Sequence, residues 1–250
     1  MNLLLFEPDE IGDDNTVSFQ DRRSAHLIGT LGCSPGDTVR AGLINGPSGT
    51  GEILAVMGKG KGARVVLRFT AVKEVGREPP IDLILGMVRP IMLKRVLRQV
   101  ASLGVGEIFL INSNRVEKSF FEASLLQDKQ YRAYLLEGLE QARDTRLPHL
   151  SVHRRFRPFV EDFIPTIAGK YGQLLVAHPE AGTGVRVAAE RAPGARTLLA
   201  VGPEGGWIDY EVEKFVSRGF TPVSMGPRVL RTDTAVVALL AQLMVLARGW

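Results

Sequence analysis

Val201-Gly202-Pro203-Glu204-Gly205-Gly206 and Met225-Gly226-Pro227-Arg228-Val229-Leu230-Arg231-Thr232-Asp233-Thr234-Ala235 are the two stretches that decide how this chain folds. Each follows a short apolar run and precedes a helix-period segment. Each therefore reads as a loop leaving the C-terminal end of a strand in a parallel sheet, the edge at which open α/β folds bind ligands. In the first, Gly205 and Gly206 have no side chain to hold a ligand off the backbone, so N–H and C=O groups can meet adenine and ribose edges directly. Taken alone, the same residues also read as a tight turn with one acid at its tip. In the second, Gly226-Pro227 turns the chain and Thr232 or Asp233 can cap the helix that follows. Arg228 and Arg231 then stand at a helix N-terminus, where the dipole disfavours cations that lack an anionic partner. The pair of loops points to an enzyme with a polyanionic substrate.

Outward from these loops, strand-like apolar runs alternate with helix-period segments from Ile81 onward, the mark of a parallel sheet covered by helices. The expected strands are Ile81–Val88, Glu107–Ile111, Gln173–Ala177, Thr197–Val201 and Pro222–Met225. The expected helices are Met92–Leu103, Leu125–Arg143, Tyr210–Ser217 and Thr234–Ala247. In Met92–Leu103, Leu93, Val96, Leu97 and Val100 form one stripe and Lys94, Arg95 and Arg98 lie off it. That basic face lacks acidic i,i+4 partners, so it reads either as a solvated surface or as a contact for phosphates. The last helix is apolar nearly all round, which predicts burial in the core or at a subunit interface.

Residues 1–72 read as short strands broken by turn residues, with Thr38–Leu43, Gly51–Val56 and Ala63–Phe69 as three of them. Met1-Asn2-Leu3-Leu4-Leu5-Phe6-Glu7 is expected to be an edge strand and not a signal peptide, since no cationic region precedes its short apolar run. Together these predict a small β-barrel domain over 1–72. The charged, proline-ended 73–80 reads as a linker, and 81–250 as an α/β domain. No apolar run is long enough for a membrane span. The single cysteine, Cys33, excludes an intrachain disulfide and a thiolate metal cluster, which fits a cytosolic protein. The net charge of +4 is concentrated in the middle: residues 73–160 carry 15 Lys and Arg against 10 Asp and Glu, while the flanking regions are close to neutral.

Competing motifs fail on context. Gly58-Lys59-Gly60-Lys61-Gly62 lies between strand patterns, not before a helix, so it reads as a hairpin loop and not as a phosphate loop. His149 and His153 have the spacing of a zinc helix, but no Glu follows the first His and Pro148 precedes it, so no metal is expected. His178, after the Gln173–Ala177 strand, is expected to line the ligand cleft.

The two loops are similar to the Gly-Pro-Glu-Gly-Gly and Leu-Gly-x-Arg-x-Leu-Arg-x-Glu-Thr-Ala motifs of the RsmE-type 16S rRNA uridine-N3 methyltransferases, members of the knotted SPOUT superfamily, and the resemblance covers essentially the full length. Asp233 stands where that family usually has Glu, and Met225 where it usually has Leu. The resemblance implies an α/β fold with a deep trefoil knot in the parallel-sheet methyltransferase domain, and a small N-terminal PUA-like β-barrel for RNA binding. It also implies S-adenosyl-L-methionine as methyl donor, 16S rRNA of the small ribosomal subunit as substrate, a homodimer formed through the C-terminal helix, and no metal. Carried onto this chain, the cofactor site would be Ala177, His178 and Pro179, then Val201, Gly202, Pro203, Glu204, Gly205 and Gly206, then Met225, Gly226, Val229, Leu230, Arg231, Thr234 and Ala235.

Methylating N3 of uracil requires removal of its proton and stabilisation of the resulting anion. Arg231, with Arg228, is expected to steady that anion while Glu204 or a neighbouring water accepts the proton. Arg22, Arg23, Arg89, Lys94, Arg95, Arg98, Arg115 and Arg143 are expected to contact RNA. Two other readings stand beside this one: an RNA-binding assembly factor without catalysis, and a nucleotide-binding enzyme acting on a small molecule. The second lacks either phosphate-loop pattern.

Overall fold

The computed structural model describes residues 2–58, 62–127 and 129–248, and its contacts divide the chain into two units: Met1–Arg77 with Leu136–Leu147, and Glu78–Leu135 with Pro148–Trp250. In the first unit, Leu4–Phe6 (β1), Thr16–Phe19 (β2), Thr38–Leu43 (β3), Ser48–Met57 (β4) and Arg64–Lys73 (β5) form a mixed sheet in the order β1-β3-β4-β5-β2. Leu4, Phe6, Val17, Ile53, Val65 and Leu67 fill its core, with the Phe6 and Phe69 rings edge to face at 5.0 Å. β1 and β2 are the two ends of the strand order, so the sheet is open there and not a closed barrel among the described residues. Met1, from the expected edge strand, and Lys59-Gly60-Lys61, from the expected hairpin, lie outside the described residues. One helix was not foreseen in this region: Arg22–Gly29 (α1), whose first turn is capped by Asp21 accepting from the Arg23 N–H at 2.8 Å.

Residues 136–147 pack with this first unit although the sequence places them within the α/β domain. The backbone carries the reason. Asn2 donates to Glu140 O (3.2 Å) and Asn45 to Thr145 O (2.7 Å), while Thr145 Oγ1 donates to Gly46 O (2.7 Å).

In the second unit, Ile81–Gly86 (β6) is buried at every residue and is the central strand. The helix after it is Pro90–Ser102 (α2), whose stripe Leu93, Val96, Leu97 and Val100 is fully buried as the periodicity predicts. Glu107–Ile111 (β7) follows. The helix expected over Leu125–Arg143 is two pieces, Ser124–Gln127 (α3) and Tyr131–Ala142 (α4), and Asp128 lies outside the described residues. His149–His153 (β8) is an edge strand, so the two histidines sit on a pleated surface; His149 Nδ1 meets Glu107 Oε2 at 2.9 Å. Among the described residues no group of His, Cys, Asp or Glu is placed to hold a metal ion.

A run of short turns then covers one face: Phe156–Pro158 (α5), a π-turn at Phe159–Phe163, and Ile164–Ile167 (α6). Gln173–Ala177 (β9), Val185–Ala189 (α7), Thr197–Val201 (β10), Asp209–Val216 (α8), Thr221–Val223 (β11) and Thr232–Arg248 (α9) complete the chain. The strands are all parallel, in the order β11-β9-β10-β6-β7-β8. From β6 the chain steps outward through β7 to β8, then crosses to the other side of β6. The reversal falls between β6 and β10, and the crevice beyond their C-terminal ends is where this architecture binds ligands.

α9 packs on α2 and α7, and Val236, Leu239, Leu240 and Leu243 are buried along it. Its opposite stripe, with Ala241 and the 58% exposed Val245, stays uncovered in one chain. Among the described residues no helix is long and apolar enough to cross a membrane.

Candidate active site

Three loops at the C-terminal edge of the sheet meet around one cleft of about 330 Å³. The turn after β10 is closed by the Gly206 N–H donating to Pro203 O at 2.9 Å, and Gly206 sits at φ +70° with nothing within 4 Å of where a side chain would start. Glycine is required there because the left-handed conformation strains other residues and a side chain would enter the cleft. The loop after β9 is hung from β11 by the His178 N–H donating to Val223 O (2.9 Å), and Val185 N–H donates to Ser224 O (3.0 Å). The loop between β11 and α9 turns at Gly226, at φ +117°.

The cleft wall contains Ala177, His178 and Pro179; Val201, Gly202, Pro203, Glu204, Gly205 and Gly206; and Met225, Gly226, Arg228, Val229, Leu230 and Ala235. Pro203 and Leu230, from different loops, thus share one pocket. Trp207, Val223, Leu239, Thr232, Ser224, Glu180 and Arg115 also line it and were not foreseen as cofactor contacts. Arg231 and Thr234 do not line it. The helical period explains this: Thr232, Ala235 and Leu239 form the cleft side of α9, so Thr234, three residues after Arg231, turns outward with it. The Arg231 side chain is 75% exposed, with its Nε 3.9 Å from Asp233 Oδ1.

The mixture of apolar walls and bare glycine backbone suits an adenosine bearing a short polar tail. Val201, Val223, Leu230 and Leu239 give apolar surface, and the turns present backbone groups at their glycines. Trp207 Nε1 is buried at the cleft without a hydrogen-bond partner, an unusual condition for an indole N–H.

Charged groups hold the walls. Glu204 Oε1 accepts from the Arg89 N–H at 3.2 Å, placing a carboxylate at the N-terminus of α2 where the helix dipole favours it. Arg115 Nη1 donates to Gly205 O at 2.6 Å. The Arg115 loop is itself fixed, since Asn114 N–H donates to Oε1 of the buried Glu211 (2.8 Å), whose Oε2 accepts from Ile208 N–H (3.1 Å). The β7 loop, the glycine turn and α8 are therefore tied together.

The basic residues expected to meet RNA divide into committed and available ones. Arg23 is committed: 11% exposed, it pairs with Glu10 and Asp21 and donates to Leu5 O. Arg22 makes a bidentate pair with the buried Glu140, at 2.6 and 3.0 Å. Arg95 donates to Asp233 Oδ2 at 2.9 Å yet stays 60% exposed, which joins the basic helix to the start of α9. Lys94 and Arg98 both lie over the Tyr134 ring, at 5.5 and 4.5 Å. Arg143 is exposed just past α4, at φ +59°.

A family model described as RNA methyltransferase domain matches residues 76–244. Ribosomal RNA small subunit methyltransferase E of Treponema pallidum is 33% identical over 252 residues, covering 100% of this chain and 93% of that protein. This chain belongs to the ribosomal RNA small subunit methyltransferase E family. A second family member, from Borreliella burgdorferi, is 25% identical and covers 95% of each chain. The crystal structure of the Neisseria gonorrhoeae family member bound to S-adenosyl methionine superposes with a TM-score of 0.76 at 21% identity, covering 98% of both chains. A Legionella pneumophila protein in complex with the cofactor SAM gives 0.79 at 24% identity, covering 98% and 97%. The fold of the family, a parallel-sheet α/β domain with an open half-barrel sheet, is thus the fold of this chain.

Proposed function

We propose that this protein transfers a methyl group from S-adenosyl-L-methionine to N3 of a uridine in 16S rRNA, in the decoding region of the small ribosomal subunit. The observation that carries the reading is the convergence of the post-β9, post-β10 and post-β11 loops on one glycine-walled cleft, in a chain related over its full length to small-subunit rRNA methyltransferases. The residues present fit that cofactor: Gly206 and Gly226 leave open space where a Cβ would stand, and apolar side chains supply the surface between them. Bound there, S-adenosylmethionine supplies an electrophilic methyl on a sulfonium.

The chain's own residues would do the rest. The backbone of Val201–Gly206 and Met225–Leu230 would orient the donor, and Leu239, Ala235 and Trp207 would exclude water from it. Glu204 would carry the N3 proton away to solvent. The uridine would leave its stack to reach the cleft. Arg228, exposed on the cleft wall, and Arg231, outward at the start of α9, are assigned to the RNA side of the site.

In the same reading residues 1–72, the larger part of the first unit, form a PUA-like RNA-binding module, 73–80 links it to the methyltransferase domain of 81–250, whose residues 136–147 pack with the first unit, and the loops after β10 and β11 belong to a trefoil knot. Two copies pair in the cytoplasm through the uncovered stripe of α9, which carries Ala241 and Val245 and continues to Arg231.

Mapping methylated nucleotides in rRNA from cells with and without this protein tests the assignment. The expected result is loss of one N3-methyluridine from 16S rRNA and its restoration by purified protein with S-adenosylmethionine; no change in the 16S map would overturn it. The basic helix makes a second expectation. Replacing Lys94 and Arg98 together by alanine should weaken RNA binding at every sequence, with the slope of log affinity against log salt falling by roughly 1 to 2. Anisotropy titrations across salt concentrations check this, and a parallel salt line would return both side chains to surface roles.

A further inference from the structure

We propose that Arg115 is the catalytic cation that faces the acceptor uracil and steadies its N3 anion, a role that rests on the uridine-methylating reading above. Five observations converge on it. Arg115 lines the cleft, and Arg231 does not. Its Nη1 is held by Gly205 O at 2.6 Å, which fixes the guanidinium against the cofactor turn. A Cβ on Gly205 would lie 3.0 to 3.1 Å from Arg115 Cβ and Cδ, so the bare glycine is what lets the side chain pack there. Its own loop is anchored through Asn114 to buried Glu211. Finally, Nε and Nη2 have no hydrogen-bond partner and the guanidinium has no ion pair among the described residues, so an oriented, uncompensated charge meets the cleft.

Such a group suits transition-state chemistry. A donor that is already fixed costs no reorganisation when charge develops. When N3 loses its proton, negative charge spreads over O2 and O4, and the planar fork of a guanidinium can meet a ring oxygen while still holding Gly205. The N3 lone pair then forms the N–C bond to the methyl carbon as the C–S pair returns to sulfur, so the anion and the sulfonium neutralise each other. The other charged or titratable groups on the cleft wall are Arg228, His178, Glu180 and Glu204. Arg228 and Arg115 are both exposed, but Arg228 carries no anchoring bond among the described residues, which leaves Arg115 as the preorganised cation.

The test is single-turnover methylation of small ribosomal subunits lacking the modification, at saturating S-adenosylmethionine, with wild type, Arg115→Ala and Arg115→Lys. Cofactor affinity is measured separately by calorimetry. Arg115→Ala should be about 100-fold slower near neutral pH. The gap should narrow as pH rises, because solvent base then ionises N3 without help, and the rise of rate with pH should lie about one to two pH units higher. Subunits assembled with 5-fluorouridine, whose N3 is more acidic, should recover most of the lost rate. Affinity for that RNA with S-adenosylhomocysteine present should gain less from alkaline pH in Arg115→Ala than in wild type. Arg115→Lys, which keeps the charge and loses the fork, should fall between the two. Parallel pH profiles, no rescue by 5-fluorouridine, or a defect traced entirely to weaker cofactor binding would overturn the proposal and leave Arg115 a strut for the glycine turn. If wild type itself puts no methyl on a 16S uridine, the parent reading has failed instead.

Discussion

Gly86→Ala is expected to cost the protein most of its affinity for S-adenosylmethionine, although Gly86 is not part of the cleft wall. It is the last residue of β6, directly beneath the glycine turn, and a Cβ there would stand 2.5 Å from Pro203 Cδ and 2.7 Å from Pro203 N. Neither atom belongs to a flexible side chain. β6 is hydrogen-bonded on both sides, to β10 and β7, so the strand cannot retreat and the turn must rise. Moving Pro203 moves Glu204 and Gly205 with it, and with them the Arg89 and Arg115 contacts that fix the wall. Overpacking of this kind costs about 1–3 kcal/mol. At 2 kcal/mol the melting temperature of a chain this size drops by about 4–8 °C. Cofactor affinity should fall by more than about tenfold, since a displaced wall loses at least about 1.4 kcal/mol of fit. Gly169→Ala is the control, because nothing lies within 4 Å of its Cβ position. Calorimetric titration decides: an unchanged dissociation constant in Gly86→Ala would mean that the turn does not form the cofactor wall.

That Gly86 matters was not legible from the sequence, whereas much around it was. β6 and β10 are covered on both faces and so show as near-continuous apolar runs, broken in β6 only by Asp82, and α2 shows its buried stripe at helical spacing. What escaped reading had one of two causes. Some signals were local but broken: Pro158 and Pro165 interrupt the Phe156–Ile167 turns, and β8 at the sheet edge has too little apolar alternation to stand out. Others were non-local. Glu211 finds Asn114 across 97 residues, and Arg115 finds Gly205 across 90, and no spacing rule connects such pairs. The cofactor loops were legible as loops because glycine and proline mark them, yet the phase of α9, which turns Thr232 into the cleft and leaves Arg231 and Thr234 outside it, depends on where the helix begins.

Asp82→Ala is expected to be the most destabilising single change, and to leave the cofactor site alone. Asp82 lies near the start of β6, fully buried, at the sheet edge opposite the cleft. Its Oδ1 accepts from the Glu107 N–H (2.8 Å), and Oδ2 accepts from the Tyr171 hydroxyl (2.7 Å) and from Arg196 Nε and Nη2 (3.1 and 2.9 Å). One carboxylate thus ties β6, β7 and the segments before β9 and β10. Its loss strands a part-buried amide and hydroxyl, while Arg196, about 30% exposed, can turn to water and Glu78. The cost should therefore sit near the low end of the range for a broken buried pair, about 3 kcal/mol, or about 6–12 °C in melting temperature. Alkaline pH gives an independent check. Burial, and then the hydrogen bond to Asp82, raise the Tyr171 phenol above its ordinary value of 10. The unfolded chain loses this proton first as pH climbs past about 10, so the unfolded state binds fewer protons and stability falls with a slope of up to about 1.4 kcal/mol per pH unit. Below that pH the contribution is fully present. Tyr171→Phe should flatten that alkaline slope, and Asp82→Ala should flatten it in part. An unchanged slope in Tyr171→Phe, or a loss under about 1 kcal/mol in Asp82→Ala, would show that water substitutes for the carboxylate and that the network does not staple the sheet.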